Sequence, residues 1–411
     1  MAGSAEALEA AVAPRPRVVP RALPATVSRV GAVDVLRGLV MVLMALDHVR
    51  DYFGDARVDP TNMATTTAAL FLTRWVTHFC APTFFLLTGT SAYLSARRRG
   101  GAGLARHLVT RGLWLLVLDA VVLRCLGWQF NADFRVTFLI VLWALGWAMI
   151  VLAALVRFPP AVAATFGAVL VAGHNLLDGV NPASFGALAP LWMILHQPGL
   201  LVGPPHFVIV AYPLVPWVGV TAVGYALGRV YDWDAARRRA FLLRLGVGLV
   251  AAFLALRWLN VYGDPRPWAA QATAGRTMIS FLNVTKYPPS LLFLCMTLGP
   301  ALLFLRAVDG REPRWTRPVS VFGRVPLFYF SLHIVLIHLL VVAACWYRYG
   351  AVHWAFESPT PDKFPFTQPP GWASPLPVVY AVWALVVLAL WPLSRWYAGV
   401  RARGAWWTSY L

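Results

Sequence analysis

The chain has 411 residues, of which 59% are hydrophobic and only 13% are charged, and it contains 19 tryptophans. Soluble domains carry about 25% charged residues, so this composition excludes an ordinary soluble domain and indicates a polytopic membrane protein. The formal charge of +18 does not indicate a nucleic-acid partner, because most arginines lie in short loops between apolar runs and not on one polar face.

Apolar runs long enough to cross a hydrocarbon core of about 30 Å recur from residue 33 onwards. They predict an all-α fold, a polytopic membrane protein with about ten transmembrane helices in one bundle over residues 33–400. The predicted spans are 33–52, 67–95, 108–128, 136–156, 160–178, 206–229, 240–260, 288–306, 321–345 and 375–397. Residues 1–32, rich in Ala, Pro and Arg, are predicted to be a disordered basic tail and not a cleaved signal peptide, and residues 401–411 a second tail.

The distribution of arginines predicts the direction of the bundle. Four arginines precede the first span, which places the N-terminus in the cytoplasm, and alternation then assigns the inner segments and a cytoplasmic C-terminus. The arginines of the inner segments are Arg97, Arg98, Arg99, Arg106, Arg111, Arg157, Arg237, Arg238, Arg239, Arg244, Arg306, Arg311, Arg314, Arg317, Arg324, Arg395, Arg401 and Arg403.

Chain length accumulates in the predicted outer loops, which are rich in Pro, Gly, Asn and Trp and are expected to form ordered caps. These loops are 53–66, 179–205, 261–287 and 346–374. The apolar segment 184–201 is interrupted by Pro190 and Pro198, so it is predicted to be re-entrant or interfacial. No internal repeat is visible, which weakens a transporter built from inverted halves.

The first span carries polar groups at both ends. Asp34 and Arg37 lie near its start, and Asp47, His48 and Arg50 lie near its finish. Eleven residues separate Arg37 from His48, which on an α-helix is about 16 Å along the axis and within about 20° of the same face. A cation near one membrane face is therefore aligned with an imidazole near the other.

His48 is a candidate general base for an amine or hydroxyl nucleophile, with Asp47 as the group that orients it. The two side chains are about 100° apart on a regular helix, so a direct bond requires an unwound helix end or a neighbouring turn. Arg37 and Asp34 form either a local ion pair at the interface or a site for a phosphate-bearing ligand, and both interpretations remain open.

Other polar residues are candidates for the same cavity. Arg74 and His78 are four residues apart, on one helix face that is expected to point into the bundle or a wet cavity. The small residues Thr88 to Ser91 are expected to serve helix packing. The further cavity or acceptor candidates are His174, Asn175, Lys286 and His333. His333 and His338 are about 140° apart, so they cannot share a ligand.

No metal site is predicted. Cys80, Cys125, Cys295 and Cys345 are scattered singly through apolar segments, and no metal-ligand spacing is present. The zincin, nucleophile-elbow and phosphate-loop motifs are also missing, so the sequence supports neither a zinc site nor a serine nucleophile.

The segment from Asp34 to His48 resembles the first catalytic-region helix of the transmembrane acyltransferase superfamily. In the O-acyltransferase branch a D-x-x-R-G pattern precedes an apolar stretch and a histidine, with ten residues between Arg and His, as for Asp34, Arg37, Gly38 and His48. The stretch FFLLTG at residues 84–89 is similar to FFxLSG of that branch. HNLLDG, YPLVPWVG, KYPPSLLF and GRVPLFYFSLH extend a resemblance to bacterial relatives of the heparan-alpha-glucosaminide N-acetyltransferase family over nearly all of residues 31–400.

The resemblance implies an acyltransferase of a bacterial inner membrane, in contact with lipid. It would move an acetyl or short acyl group from cytoplasmic acetyl-CoA, or another acyl-CoA, to an amine or hydroxyl of a sugar or other small polar acceptor at the outer face. Arg37 would serve the donor, and His48 would act as base or transient acyl carrier with Asp47. His78 and Arg74 would line the same cavity. Neither nucleic acid nor a metal is expected, and a homodimer is left open.

The resemblance breaks at one position. The lysosomal enzyme of the family has an asparagine where His48 stands, and its catalytic histidine lies in the loop that follows, whereas residues 52–68 contain no histidine here. Either His48 or His78 takes the catalytic role, or the protein is not an enzyme of this type. The alternatives are a transporter or flippase of an anionic glycan or lipid, and a structural partner in envelope biogenesis.

Overall fold

The computed structural model describes residues 31–311, 313–404 and 408, and within these residues the chain is mostly helical. The α-helices are α1 Gly31–Phe53, α2 Ala68–Thr77, α3 Cys80–Val117, α4 Val141–Leu155, α5 Pro160–Gly173, α6 Ala189–Leu195, α7 Leu214–Leu227, α8 Ala235–Leu259, α9 Ala274–Leu282, α10 Leu291–Val308, α11 Thr316–Arg324, α12 Pro326–Tyr349 and α13 Leu376–Ala402. A π-helix, Leu118–Trp128, continues α3. Almost all of the tail expected at 1–32, and most of that at 401–411, lie outside the described residues.

Helix α1 is the central helix of the bundle, in contact with α2, α3, α10, α11, α12 and α13. Its buried side chains surround most of the helix, as expected of a helix enclosed on all sides. Small residues bring α1 and α11 together: a Cβ at Gly38 would lie 2.0 Å from the carbonyl oxygen of Val319, and a Cβ at Gly323 would lie 1.8 Å from that of Asp34. This close crossing fixes the Arg37 end of α1 against α11.

Helix α3 packs in the same way against α7. A Cβ at Gly89 would lie 2.0 Å from the carbonyl oxygen of Thr221, and a Cβ at Gly224 would lie 2.1 Å from that of Leu86. The hydroxyl of Thr90 donates to the carbonyl of Gly224 at 3.0 Å. Gly89 and Thr90 therefore have the packing role that their small size predicts. Further along, α3 bends at Gly100, whose φ of 69° suits a residue without a Cβ.

Six helices of the described part of the chain are long and apolar enough to cross a membrane. Two of them combine neighbouring elements: Ala68–Ala96 is α2 with the first part of α3, and Pro160–Leu177 is α5 with the 3-10 turn that follows it. The other four are α8, α10, α12 and α13. The predicted count of about ten is not confirmed. Helices α4 and α7 have 15 and 14 residues, which at 1.5 Å per residue is about 21–23 Å and short of a core of about 30 Å. Helix α1 has 23 residues but carries charged groups near both ends.

The purely α-helical expectation is wrong in one respect, because three short strands form a sheet. These are β1 Val136–Leu139, β2 Gly199–Val202 and β3 Phe207–Val210. Strand β3 lies in the middle, parallel to β1 and antiparallel to β2. The predicted spans 136–156 and 206–229 thus begin as strands, since a short and mostly apolar run fits either a helix or a strand by pattern alone. In the segment 184–201, α6 has only seven residues, too few to cross a bilayer.

Candidate active site

His48, in the last turns of α1, forms a close pair with His333 of α12. Nδ1 of His48 lies 2.7 Å from Nε2 of His333, across 285 residues of sequence. The two rings are nearly parallel, with an interplanar angle of 15°. His333 is fully buried, and its Nδ1 lies 3.0 Å from the carbonyl oxygen of Tyr329 one turn earlier. The structure therefore brings together two of the residues that the sequence analysis selected separately.

The hydrogen bonds assign the tautomers of this pair. A carbonyl oxygen only accepts, so Nδ1–H of His333 donates to Tyr329 and Nε2 of the neutral ring accepts. Nδ1–H of His48 then donates to His333, which leaves the lone pair on Nε2 of His48. Within the described residues Nε2 of His48 has no hydrogen-bond partner and is not a buried atom. This nitrogen is available to take a proton from a bound molecule.

Aromatic rings enclose the imidazole of His48. The ring of Trp128 meets it edge-on with centroids 5.0 Å apart, and the ring of Phe330 does so at 6.1 Å. Trp128 ends the π-helix that follows α3, and Phe330 lies one turn into α12. These apolar faces limit the access of water to the histidine pair and strengthen its hydrogen bonds, because the local dielectric is low.

Asp47 belongs to a separate cluster of charges. Nη1 of Arg74 donates to both carboxylate oxygens, at 2.6 and 2.5 Å, and the hydroxyl of Thr77 donates at 2.8 Å. Nη1 of Arg50 lies 2.8 Å from Oδ1, and Nζ of Lys286 lies 4.0 Å from Oδ2. All these side chains are largely buried.

The predicted contact between Asp47 and His48 is not formed. Helix α1 stays regular to Phe53, so the unwound end that such a contact requires does not exist and the two side chains point about 100° apart. His333 has the position next to His48 that the sequence analysis assigned to Asp47.

Lys286 enters the charged cluster from a loop and not from a helix. Residues Lys286 and Pro289 form a single β-bridge just before α10, and Nζ lies 5.1 Å from the ring centroid of Tyr287. Burial by itself raises the pKa of the Tyr287 phenol, but the positive charges of Lys286 and Arg74 outweigh it and leave that pKa below its ordinary value. The loop therefore carries a positive potential next to the end of α1.

His78 is not brought into contact with His48. It is 1% exposed and its ring packs edge-on against Phe293 of α10 with centroids 5.3 Å apart. Neither ring nitrogen has a hydrogen-bond partner within the described residues. Arg74, expected to share a cavity with His78, is instead held by Asp47. The geometry thus favours His48 over His78 as the reactive histidine.

Arg37 has partners on three helices at the opposite end of α1. It pairs with Asp34 at 3.2 Å, donates to the carbonyl of Gly323 at 3.1 Å, and donates to the hydroxyl of Ser91 at 2.6 Å. The local ion pair and a role toward a ligand are therefore compatible, because the guanidinium has five donors. Ser91, interpreted from sequence as a packing residue, holds this arginine in place.

A cavity of about 260 Å³ runs along α1 from Arg37 to Met44. One end, which we call the basic end, is lined by Arg37, His107, Arg111, Arg324 and Arg401. The other end is apolar and includes Phe330, the ring that contacts His48. Its volume is near the lower limit of ligand pockets, about 300–1,000 Å³, which suits an extended chain and not a bulky group. From the sequence alone, Arg111, Arg324 and Arg401 indicate only the topology of the bundle.

His174 and Asn175 lie in another region, at the end of α5. The amide nitrogen of Asn175 donates to Asp178 at 2.7 Å, and its oxygen accepts from the backbone N–H of Leu291 at 2.8 Å. The ring of His174 lies near that of His196, with centroids 5.6 Å apart. These residues therefore form a cluster of their own and do not join the histidine pair at His48.

Comparison with known proteins identifies one family. The profile described as heparan-alpha-glucosaminide N-acetyltransferase, catalytic, matches residues 29–262. A search of curated proteins finds no significant match. The matched region runs from just before α1 to just after α8, so it contains His48, Asp47, Arg37 and Arg74. Lys286 and His333, which complete the two clusters, lie beyond it.

Proposed function

The chain belongs to the heparan-alpha-glucosaminide N-acetyltransferase family, and we propose that it transfers an acetyl or short acyl group from acyl-CoA to a sugar-like acceptor. The family supports an acetyltransferase-type enzyme, and the apolar helices support a membrane location. In the proposed arrangement the donor enters from the cytoplasm and the acceptor amine or hydroxyl lies at the outer face of a bacterial inner membrane. The observation that carries the proposal is the cavity that links five basic residues to the ring contacting His48.

The basic end of the cavity is the proposed site for the nucleotide and phosphates of the donor. Arg37, Arg111, Arg324 and Arg401 line it together, and guanidinium groups match phosphate oxygens in charge and geometry. The apolar walls beyond them suit a flexible acyl-bearing arm that carries a thioester toward His48. Arginines collect at this end, and the positive-inside rule therefore supports the proposal that this end and both chain termini face the cytoplasm.

His48 is the proposed general base. As the acceptor nitrogen or oxygen attacks the thioester carbonyl carbon, Nε2 of His48 takes its proton. The carbon–sulfur bond then breaks, and the proton passes from His48 to the departing thiolate, which leaves as free CoA. His333 supports this step because its Nε2 accepts from His48 and stabilises the imidazolium that forms. The same free nitrogen would also allow a transient acyl-histidine.

Lys286 and Arg74 are proposed to attract the acceptor. Three cations, Arg50, Arg74 and Lys286, surround the two carboxylates of Asp47 and Asp51, so this cluster has a formal charge of +1 (three minus two). A positive field next to the histidine favours acceptors with electron-rich or anionic groups. This charge also fits the competing function, transport of an anionic glycan or lipid.

A free-thiol assay in proteoliposomes tests the proposal. Acetyl-CoA is added with glucosamine, and released CoA thiol is measured together with acetylated glucosamine. Equal amounts of thiol and product support acyl transfer. Movement of a labelled anionic glycan across the bilayer without thiol release would instead support the transporter and overturn the enzyme. Adding the donor to only one side of oriented proteoliposomes tests its entry from the basic end.

A further inference from the structure

Three side chains near the end of α5 form a cluster that is separate from the histidine pair at His48. They are His174, Asp178 and His196, and one nitrogen or carboxylate oxygen from each lies within 4.8 Å of the others. Nε2 of His196 and Oδ1 of Asp178 are 3.8 Å apart. His174 is 2% exposed and His196 is fully buried, while Asp178 is partly exposed.

The two imidazoles of this cluster lack the hydrogen bonds that buried polar groups normally make. Within the described residues, Nδ1 of His196 is buried without a hydrogen-bond partner, and the ring of His174 makes no more than a weak contact with the backbone of Pro289. Nε2 of His196 donates to the carbonyl oxygen of His174 at 2.8 Å and is also the ring nitrogen that faces Asp178, so a metal bound through Nε2 would replace the bond to the carbonyl. Unpaired buried nitrogens of this kind destabilise the fold unless a ligand uses them.

We propose that His174, Asp178 and His196 bind one divalent transition-metal ion, and that zinc is the ion of choice. Two imidazoles and one carboxylate are a donor set of zinc sites with three protein ligands, whereas calcium and magnesium prefer oxygen ligands alone. Zinc bonds of about 2.0–2.2 Å place tetrahedral ligand atoms roughly 3.3–3.5 Å apart. Nε2 of His196 and Oδ1 of Asp178 are close to this separation, and one ligand atom from each of the three side chains lies within 4.8 Å of the others.

The neighbours of the cluster support this assignment. Nδ2 of Asn175 donates to Oδ2 of Asp178 at 2.7 Å, which orients the carboxylate as residues around a metal site commonly do. The oxygen of Asn175 accepts from the N–H of Leu291, at the start of α10. A metal bound here would join the segment that contains His196 to the end of α5 and, through Asn175, to α10. A metal at this position would therefore stabilise the packing of these segments.

A metal at this site differs from the expectation from the sequence, which predicts no metal site. His174 and Asp178 are four residues apart, but His196 follows 18 residues after Asp178, beyond a 3-10 helix and α6. That spacing matches none of the metal motifs by which a sequence is searched. The proposal does not depend on acyl transfer, and its test needs no substrate.

The test measures metal content and thermal stability of the untagged full-length protein in detergent. The protein is passed over a chelating resin, loaded with one equivalent of zinc, and desalted. We expect one zinc per chain and a higher unfolding midpoint in the loaded protein, because a ligand that binds only the folded state stabilises it. His196→Ala should hold no zinc and show no shift in midpoint, while His206→Ala, which alters an exposed histidine on the same connection, should match the wild type.

Two further variants decide the outcome. His196→Cys keeps a zinc ligand and should retain the metal, which separates lost ligation from a misfolded chain. His48→Ala should also retain it, because the histidine pair is a different site. Zinc below stoichiometric content in the loaded wild type, or equal zinc content in the wild type and His196→Ala, would overturn the proposal.

Discussion

Asp47 and His48 are neighbours in the chain, but they lie in two different environments. Asp47 is surrounded by Arg50, Arg74, Lys286 and Thr77, so both carboxylate oxygens have close polar or charged partners. Among the residues that the structure describes, His48 has one hydrogen bond, to His333, and its other contacts are with aromatic rings. One residue of helix rotation, about 100°, separates a saturated ion cluster from an imidazole with an unused lone pair.

The two environments indicate that Asp47 stabilises the fold and that His48 takes part in the chemistry. A buried charge with every acceptor position occupied holds elements together, and here Asp47 links α1 to α2 and to the loop before α10. A titratable group with one open position, placed next to a cavity, can exchange a proton with a ligand. The comparison therefore predicts that changes at Asp47 act mainly on folding and that changes at His48 act mainly on catalysis.

The largest effect on activity is expected from His48→Ala. Removing a general base lowers kcat by about 10²–10⁴-fold, while the midpoint of thermal unfolding should change little because His48 is only partly buried. Thiol release from acetyl-CoA and circular dichroism on the same preparation give the two readings. His206→Ala, at an exposed histidine, is the matched control and should keep full activity. An active, folded His48→Ala enzyme would remove His48 from the mechanism.

Asp47→Ala tests the other half of the comparison. It leaves Arg50, Arg74 and Lys286 buried without their shared carboxylate, and breaking a buried ion pair in this way costs about 3–5 kcal/mol of folding free energy. Unfolding in detergent should therefore begin at a clearly lower temperature. Asp55→Ala, which breaks the exposed pair with Arg57, should leave the midpoint unchanged. A normal midpoint together with lost activity in Asp47→Ala would place Asp47 in the chemistry after all.

His333 is expected to hold the ring of His48 in position. His333→Phe removes the acceptor for Nδ1–H of His48, which frees that ring to rotate or change tautomer, and a misplacement of this kind costs about 10²-fold in rate. His333→Gln retains an amide oxygen that can accept the same bond and should recover part of kcat. The two variants need kcat and KM measured separately, since a positioning role lowers kcat and leaves KM for the donor unchanged. Equal activity in the two variants would argue against the proposed hydrogen bond.

The local sequence pattern predicts where the helices lie better than it predicts which elements pack against one another. The run from 33 to 52 indicated α1 to within two residues, because a long apolar stretch with charged ends has few alternatives. The strands at 136–139 and 207–210 were not predicted, since their pairing depends on residues about 70 positions away. The span count is not confirmed at α4 and α7, whose apolar neighbours are extended and not helical.

The same limit applies to the site. The spacing of Arg37 and His48 on one helix indicates a site with a cation at one end and an imidazole at the other, and the structure has a cavity that extends from Arg37 to Phe330, whose ring contacts His48. The sequence also selected His333, but periodicity tells which residues share a face of one helix and not which helix lies opposite. The pairing of His48 with His333, across 285 residues, is set by how α1 packs against α12.

The smallest effect is expected at the basic end, where several arginines share one task. Arg324→Ala should raise KM for acetyl-CoA by about tenfold, because the variant loses one charge-assisted hydrogen bond to a donor phosphate. The value of kcat should not change, because this bond is equally strong in the ground state and in the transition state. Arg314→Ala, at an exposed arginine in the segment before α11, is the matched control. Raising the salt concentration should weaken donor binding to the wild type more than to Arg324→Ala, since fewer charges remain to be screened. If Arg324→Ala and Arg314→Ala raise KM equally, the donor is attracted by the general charge of this face and not by the cavity. His48 would then have to be reached by another route.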